Sequence, residues 1–259
     1  MHMVKNSIGL DIGGTKISGI VYDGKAIVRE LTVPTPKNLT GFKKALTRLL
    51  KLLSAGRDIT GLGVGMAGVV SPKTGQVLYC PNMKFLIGFQ PEKFFKTFHY
   101  KKVKVENDAN CFALAEAFLG KGKEYKNFIG ITLGTGVGGG IVQNKKIYSG
   151  AHNSAGEAGH MMADFRYDSE HYFQAAREKK DFKKLGEVVG ILFANISNIL
   201  DVEAIILGGA VSLNHSKMFL PSALAAMQKH VVNKAVMPKI LVSNLKNSGS
   251  LGAVLLLQD

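Results

Sequence analysis

Three places in this sequence hold residues whose types and spacing suit work on phosphate and hydroxyl groups. The first is Asp11-x-Gly13-Gly14-Thr15, a glycine pair between two apolar runs. Successive backbone N–H groups in such a turn can face outward with no Cβ in the way, making a cradle for phosphate oxygens. The Thr15 hydroxyl adds a donor, Lys16 adds a positive charge, and Asp11 is placed to hold Mg²⁺ through water. The second is Gly134-Thr135-Gly136, which opens a glycine run reaching Gly140 between apolar residues. One such turn means little, because Gly-Gly also makes plain hairpins; two of them, each between apolar strands, mean much more. The third is Asp108, which follows Glu106-Asn107 and precedes an apolar helical stretch. A carboxylate there can accept the proton of an attacking hydroxyl, as phosphoryl transfer requires. The same place suits a helix N-cap, and on spacing alone capping outranks catalysis.

Two rival motifs fail. Gly134, Gly136 and Gly139 satisfy GxGxxG, but that dinucleotide fingerprint must open a helix. Here Ile141-Val142-Gln143 continues a strand, and glycines at 138–140 would ruin a first helical turn. A GxxxxGK[ST] phosphate loop is absent from the sequence, which removes the P-loop class.

The elements that must position these groups alternate between strands and helices, an α/β pattern. Strands are expected at 7–12, 16–21, 26–31, 59–64, 102–105, 128–133, 141–143, 204–207 and 240–242. Pro34 and Pro36 should stop the first meander, and 134–140 should form one long glycine turn. Phe42, Leu46, Leu49, Leu50 and Leu53 recur at helical spacing. Further helices are expected at 91–98, 109–119, 169–180, 182–200, 216–230 and 252–257. The strand–glycine-turn–strand unit occurs twice, implying two lobes that face one another, with a hinge near 106–110. The expected division puts 1–107 in a smaller N-terminal lobe, joined by a helix within 246–259, and 108–245 in a larger one.

The bulk composition is globular: 259 residues, 46% hydrophobic and 20% charged. No apolar run approaches the roughly 20 residues of a membrane span. No signal peptide is read, since Asp11 and the glycine pair interrupt the first apolar stretch. Met1-His2-Met3 reads as a cloning scar ahead of a natural start. Cys80 and Cys111 are far apart and form no CxxC pair, so two reduced core thiols and a cytoplasmic setting are expected. The net charge of +14, from 33 Lys+Arg against 19 Asp+Glu, favours anionic partners such as nucleotides or polyphosphate. The lysines are scattered in pairs, which argues against specific nucleic-acid binding.

DIGGTK at 11–16, ENDANCFALAEAFLGKGK at 106–123, LGTGVGGGI at 133–141, GEAGH at 156–160, ILGGAV at 206–211 and GSLGAVLL at 249–256 resemble the ROK family of repressors, open reading frames and sugar kinases. The matches keep the family's order and cover nearly the whole chain. The resemblance implies an actin-like ATPase (ribonuclease H-like) fold, with two lobes around an interdomain cleft that binds ATP, Mg²⁺ and a hexose. It implies a glucokinase-like enzyme with Asp108 as general base and Asn107 beside it on the sugar. By motif position Gly13-Gly14-Thr15 and Gly134–Gly136 are the phosphate cradles, and Gly208 and Gly209 form the adenosine-side turn. Asn82, Glu157 and His160 fall on sugar contacts; a carboxylate and an imidazole can grip vicinal hydroxyls, or can merely tie down a loop. Family members are often homodimers.

The sequence also departs from the family pattern. Many members carry a zinc-binding cysteine cluster after the GH dipeptide, yet 161–180 holds no cysteine, so thiolate zinc is excluded by ligand count. A substitute site from His152, His160, His171 and Asp168 is conceivable but lacks metal-ligand spacing, which leaves His160 to act on sugar alone. Glu170 is either the family's second sugar-touching glutamate or a solvated residue at a helix start. Ala67 stands where proline is usual, which should leave that backbone less fixed. Polyphosphate-using members also lack the cysteine cluster, so polyphosphate is a second candidate donor behind ATP. Residue 7 already begins the first strand, so no room is expected for a repressor's helix-turn-helix. A non-catalytic sugar sensor would need neither Asp108 nor the two turns.

Overall fold

The computed structural model describes residues 5–258, and the Met1-His2-Met3 start lies outside them. The first meander is β1 (Ser7–Ile12), β2 (Lys16–Tyr22) and β3 (Ile27–Pro34). It runs to Pro34 itself, because proline is tolerated at the end of an edge strand. Next comes α1 (Leu39–Ser54), which buries Phe42, Leu46, Leu49, Leu50 and Leu53 and leaves its lysines outside. Asn38 caps its start by accepting from the Gly41 N–H at 2.8 Å. Its far end is held by Arg29 of β3, whose Nη1 donates to the Leu52, Leu53 and Ala55 carbonyls at 2.7, 3.1 and 3.0 Å.

The chain continues through β4 (Gly61–Met66), the short pair β5 (Val69–Val70) and β6 (Val77–Tyr79), and a 3₁₀ segment at Pro81–Leu86. Then follow α2 (Pro91–Lys96), β7 (Lys102–Asn107) and α3 (Asp108–Phe118). The second half repeats the plan. β8 (Phe128–Leu133), β9 (Val137–Gln143) and β10 (Lys146–Ile147) form a meander. After it come α4 (Ser169–Glu178), α5 (Phe182–Leu200), β11 (Ala204–Gly208), α6 (Gly209–His230), β12 (Lys239–Val242) and α7 (Ser248–Leu255).

The two five-stranded sheets have the same order, β3-β2-β1-β4-β7 and β10-β9-β8-β11-β12. Each is an antiparallel meander extended by two parallel strands. Loops at the carboxyl ends of parallel strands are where α/β sheets bind ligands, and every glycine turn singled out above lies at such an end.

Two expectations are corrected. The mid-chain glycine turn is only 134–136, and Gly138, Gly139 and Gly140 belong to β9. A Cβ on Gly139 would sit 2.4 Å from the Gly156 carbonyl, so these glycines let the loop pack flat on the strand. The helix expected at 216–230 starts at Gly209 instead. Gly209, at φ +82°, turns the chain within one residue, and the helix begins at once.

The chain forms two compact units. One holds the residues up to Ala115, Gly150–Ser154 and the stretch from Lys246 on; the other holds Glu116–Ser149 and Ala155–Leu245. The division therefore falls inside α3, not at the expected 107/108. The first turns of α3 stay with the first unit because Cys111 is fully buried there, against Gly65 and α7. α7 lies directly on β1 and β4. A Cβ on Gly63 would meet the Ala253 carbonyl at 1.8 Å, and one on Gly252 the Cys111 carbonyl at 1.7 Å. In the second unit α5 packs along α6, burying Leu185, Val189, Leu192, Phe193 and Ile196.

Candidate active site

In the first unit, β1, β4 and β7 run parallel with Ile12, Met66 and Asn107 in register. The turn after β1 and the start of α3 thus emerge from the same sheet end, two strand spacings or about 10 Å apart. The Gly13–Thr15 turn is pinned by Gly13 N–H to the Lys16 carbonyl at 3.0 Å, Thr35 N–H to the Thr15 carbonyl at 3.0 Å and Thr35 Oγ1 to the Gly13 carbonyl at 2.7 Å. No hydrogen bond among the described residues takes the Gly14 or Thr15 N–H, which leaves both able to donate to an anion. Asn82 packs on this turn, since a Cβ on Gly14 would lie 2.7 Å from the Asn82 Cβ.

Asp11 closes this corner beside Gly249 at the start of α7. Desolvation pushes its carboxyl up to about 6, with Lys16 pulling the other way. The residue reaches solvent in part, but its carboxyl packs against Gly249, where an added Cβ would lie 2.5 Å from Oδ2. A buried carboxylate of this kind is relieved by a cation, and Asp11 fits Mg²⁺ held through water.

At the β7–α3 junction the capping question has an answer. Asn107 Oδ1 accepts from the Ala109 and Asn110 N–H groups at 2.8 and 3.2 Å, so Asn107 is the cap. Asn107 Nδ2 donates to the Gly68 carbonyl at 3.3 Å. Its amide, expected on the sugar, is thus engaged in the scaffold at both ends. Asp108 is the first residue of α3, and its Oδ1 receives the Ala109 N–H at 3.0 Å. Glu106 Oε1 binds the Asn107 N–H at 2.8 Å and Asn110 Nδ2 at 3.0 Å, forming a collar behind the junction. Beside it lies a cavity of about 150 Å³, whose polar lining comes from Ser71, Glu92, Glu106, Asn107 and Asn153, with no lysine or arginine. Ala67, expected to be loose, is tied by its N–H to the Ile12 carbonyl at 3.1 Å, a bond proline would forbid. Cys80 and Cys111 are free and buried. Burial, then Asp108, holds the Cys80 thiol up at about 11; burial, then Glu106, Asp11 and Asp108, pushes Cys111 well up.

In the second unit the Gly134–Gly136 turn is gripped from α4. Arg177 Nη1 donates to the Gly134 and Thr135 carbonyls at 2.7 and 2.6 Å. Glu170 Oε2 accepts the Val137 N–H at 2.8 Å, and its Oε1 accepts Gln174 Nε2 at 3.0 Å. Glu170 is therefore a brace for the turn, not a solvated helix-start residue. A Cβ on Gly136 would strike its carboxylate at 2.4 Å. No described residue takes the Thr135 or Gly136 N–H. Gly208 and Gly209 join this turn, because β11 pairs with β8 and a Cβ on Gly209 would meet the Leu133 carbonyl at 2.4 Å. The amino end of α6 thus points beside the second cradle, an arrangement that favours phosphate.

Glu157 and His160 flank a 3₁₀ turn at Ala158–His160. Desolvation raises the Glu157 carboxyl; His160 lowers it and Glu170 raises it, so the three groups share one neighbourhood. His160 is not left to sugar alone, for its Nδ1 meets Asp168 Oδ2 at 2.9 Å. Among the described residues no three His, Cys, Asp or Glu side chains gather as metal ligands, and no helix is long and apolar enough to cross a membrane. Arg177 escaped the sequence reading, and Asp168 was weighed there only as a conceivable metal ligand. The signal for Arg177 was its place seven residues after Glu170, on the same helical face.

Comparison with known proteins resolves the relationship. The model of the ROK family matches residues 7–172 and 166–259. The chain belongs to the ROK family. Among its relatives is a glucokinase of Streptomyces coelicolor, 38% identical over 156 residues, which are 60% of this chain and 49% of that protein. An N-acetyl-D-glucosamine kinase of Mannheimia succiniciproducens is 29% identical over 93% of this chain and 95% of its own. A ROK glucokinase of Streptomyces griseus, solved with glucose and AMPPNP, superposes with a TM-score of 0.84 at 26% identity, covering 96% of this chain and 98% of that one. This ROK chain has the actin-like ATPase fold. Its ROK relatives are named for different sugars, glucose and N-acetyl-D-glucosamine among them, so family membership leaves the acceptor to be argued from the site.

Proposed function

We propose that this protein transfers a phosphoryl group from ATP to a hydroxyl of a hexose or N-acylhexosamine, with Asp108 as general base. The observation that carries this reading is the division of labour at the β7–α3 junction. Asn107 caps α3 through the Ala109 and Asn110 N–H groups, so the cap does not depend on Asp108, whose Oδ1 shares only the Ala109 N–H. Asp108 stands at the carboxyl end of β7, the sheet end at which α/β folds bind ligands. Asp108 accepts the proton as the hydroxyl attacks, while Gly14, Thr15, Thr135 and Gly136 donate N–H groups to phosphate oxygens. Asp11 would hold Mg²⁺ through water, and the metal would supply charge neutralisation on the phosphates. Glu157 and His160 accept from sugar hydroxyls, and Gly208-Gly209 leaves room on the nucleotide side. The buried free thiols suit a reducing cytoplasm. The relatives that act on glucose and N-acetylglucosamine support the reaction class.

The test is a coupled assay over glucose, mannose, fructose, N-acetylglucosamine and N-acetylmannosamine, with ATP and polyphosphate as alternative donors. Turnover with at least one sugar is expected. Asp108→Asn should lower kcat by about three orders of magnitude or more while sugar still binds. Near-normal turnover in that variant removes Asp108 as the base, and saturable sugar binding without any turnover in the wild type makes the protein a sensor.

A further inference from the structure

Asp168 has no part in the chemistry above, yet its two oxygens do two separate jobs. Oδ1 caps α4 by accepting the His171 N–H at 2.8 Å, and Oδ2 meets His160 Nδ1 at 2.9 Å. The first bond fixes the carboxylate in the helix start, so the second fixes the imidazole. The loop between them is clamped at its base. Met162 pairs with Asp168 as an antiparallel bridge, and Ser169 donates both its N–H and its hydroxyl to the Met161 carbonyl at 2.8 and 2.9 Å. Its tip is closed by Asp164, which accepts from the Arg166 and Tyr167 N–H groups and from the Tyr172 hydroxyl.

Burial works to raise Asp168, but the His171 N–H and His160 outweigh it and hold the carboxyl below its usual range. It is therefore ionised at neutral pH and can only accept a hydrogen bond. In the neutral imidazole the hydrogen must then sit on Nδ1, and Nε2 carries the lone pair. We propose that Asp168 is a positioning residue that sets this tautomer, so that His160 Nε2 accepts from one sugar hydroxyl while Glu157 accepts from its neighbour. This rests on the sugar-kinase reading. Two adjacent acceptors select a ligand offering two adjacent hydroxyl donors and disfavour one in which either is missing, because a desolvated acceptor would be left unpaired.

Asp168→Asn is the discriminating variant. Asparagine caps a helix as well as aspartate, but it can turn an NH₂ toward Nδ1 and drive the imidazole hydrogen onto Nε2. We expect unchanged melting, a KM for the sugar raised about tenfold or more, and a smaller change in kcat. Nitrogen-15 NMR of His160 should report Nδ1–H in the wild type and Nε2–H in the variant, a change that a purely structural role would not produce. Asp168→Ser, which keeps a capping hydroxyl but cannot reach the ring, should also raise KM. A wild-type imidazole protonated at Nε2, or an Asp168→Asn enzyme with wild-type KM, overturns the proposal. If the wild type phosphorylates none of the sugars, the kinase reading falls, and the tautomer measured in the two proteins still decides what Asp168 does.

Discussion

Asp11 combines an enclosed carboxyl with a raised pKa of about 6, and that combination links stability to function. The folded protein binds this proton more tightly than the unfolded chain does, so ionising Asp11 costs native stability. The cost is absent below the ordinary carboxylate range, grows as pH rises through about 4 to 6, and is constant above. Asp11→Asn should therefore gain melting temperature over the wild type, with a gap wider at about pH 8 than at about pH 4. A gap that narrows with rising pH would contradict the assignment. The same variant should lose Mg²⁺-dependent turnover. At this scale the sequence was informative about residue type and poor about employment. Glu170 and Asn107 were singled out for sugar, and both are engaged in holding backbone. Side-chain reach across 33 residues, from Glu170 to Val137, leaves no mark in local spacing.

α1 shows what an element owes to its neighbours. Its apolar stripe was legible because all five buried residues fall on one helical face, but its termination was not. The closing carbonyls are taken by Arg29, which lies at least 23 residues earlier on β3. Arg29→Met should cost about 1–2 kcal/mol in urea unfolding, with Arg29→Lys recovering part of it. An unchanged midpoint would show that water serves those carbonyls equally well. The elements that escaped sequence reading share one cause. β5, β6 and the 3₁₀ segment at Pro81–Leu86 are too short for periodicity. They are held instead by bonds such as Val77 N–H to Phe89 and Gly88 N–H to Val77, both 2.9 Å. The start of α6 was missed for a different reason, since Gly208-Gly209 reads as a loop until its dihedral angles are known.

Over the whole molecule, the twice-used strand–glycine-turn–strand unit was the most legible feature, and it appears as two sheets of identical strand order. What could not be read was how closely α7 approaches β4. Gly63 has no room for a Cβ beneath Ala253, so Gly63→Val should destabilise by about 3 kcal/mol. Hydrogen exchange should rise first in β1 and β4, and uniform exchange in both units would count against the placement. α7 also imposes an order on biosynthesis. A ribosome must finish all of Glu116–Leu245 before α7 emerges to cover the sheet begun at Ser7. Until then β1 and β4 present bare apolar strands, a nascent intermediate that invites chaperones and delays the closing step of folding.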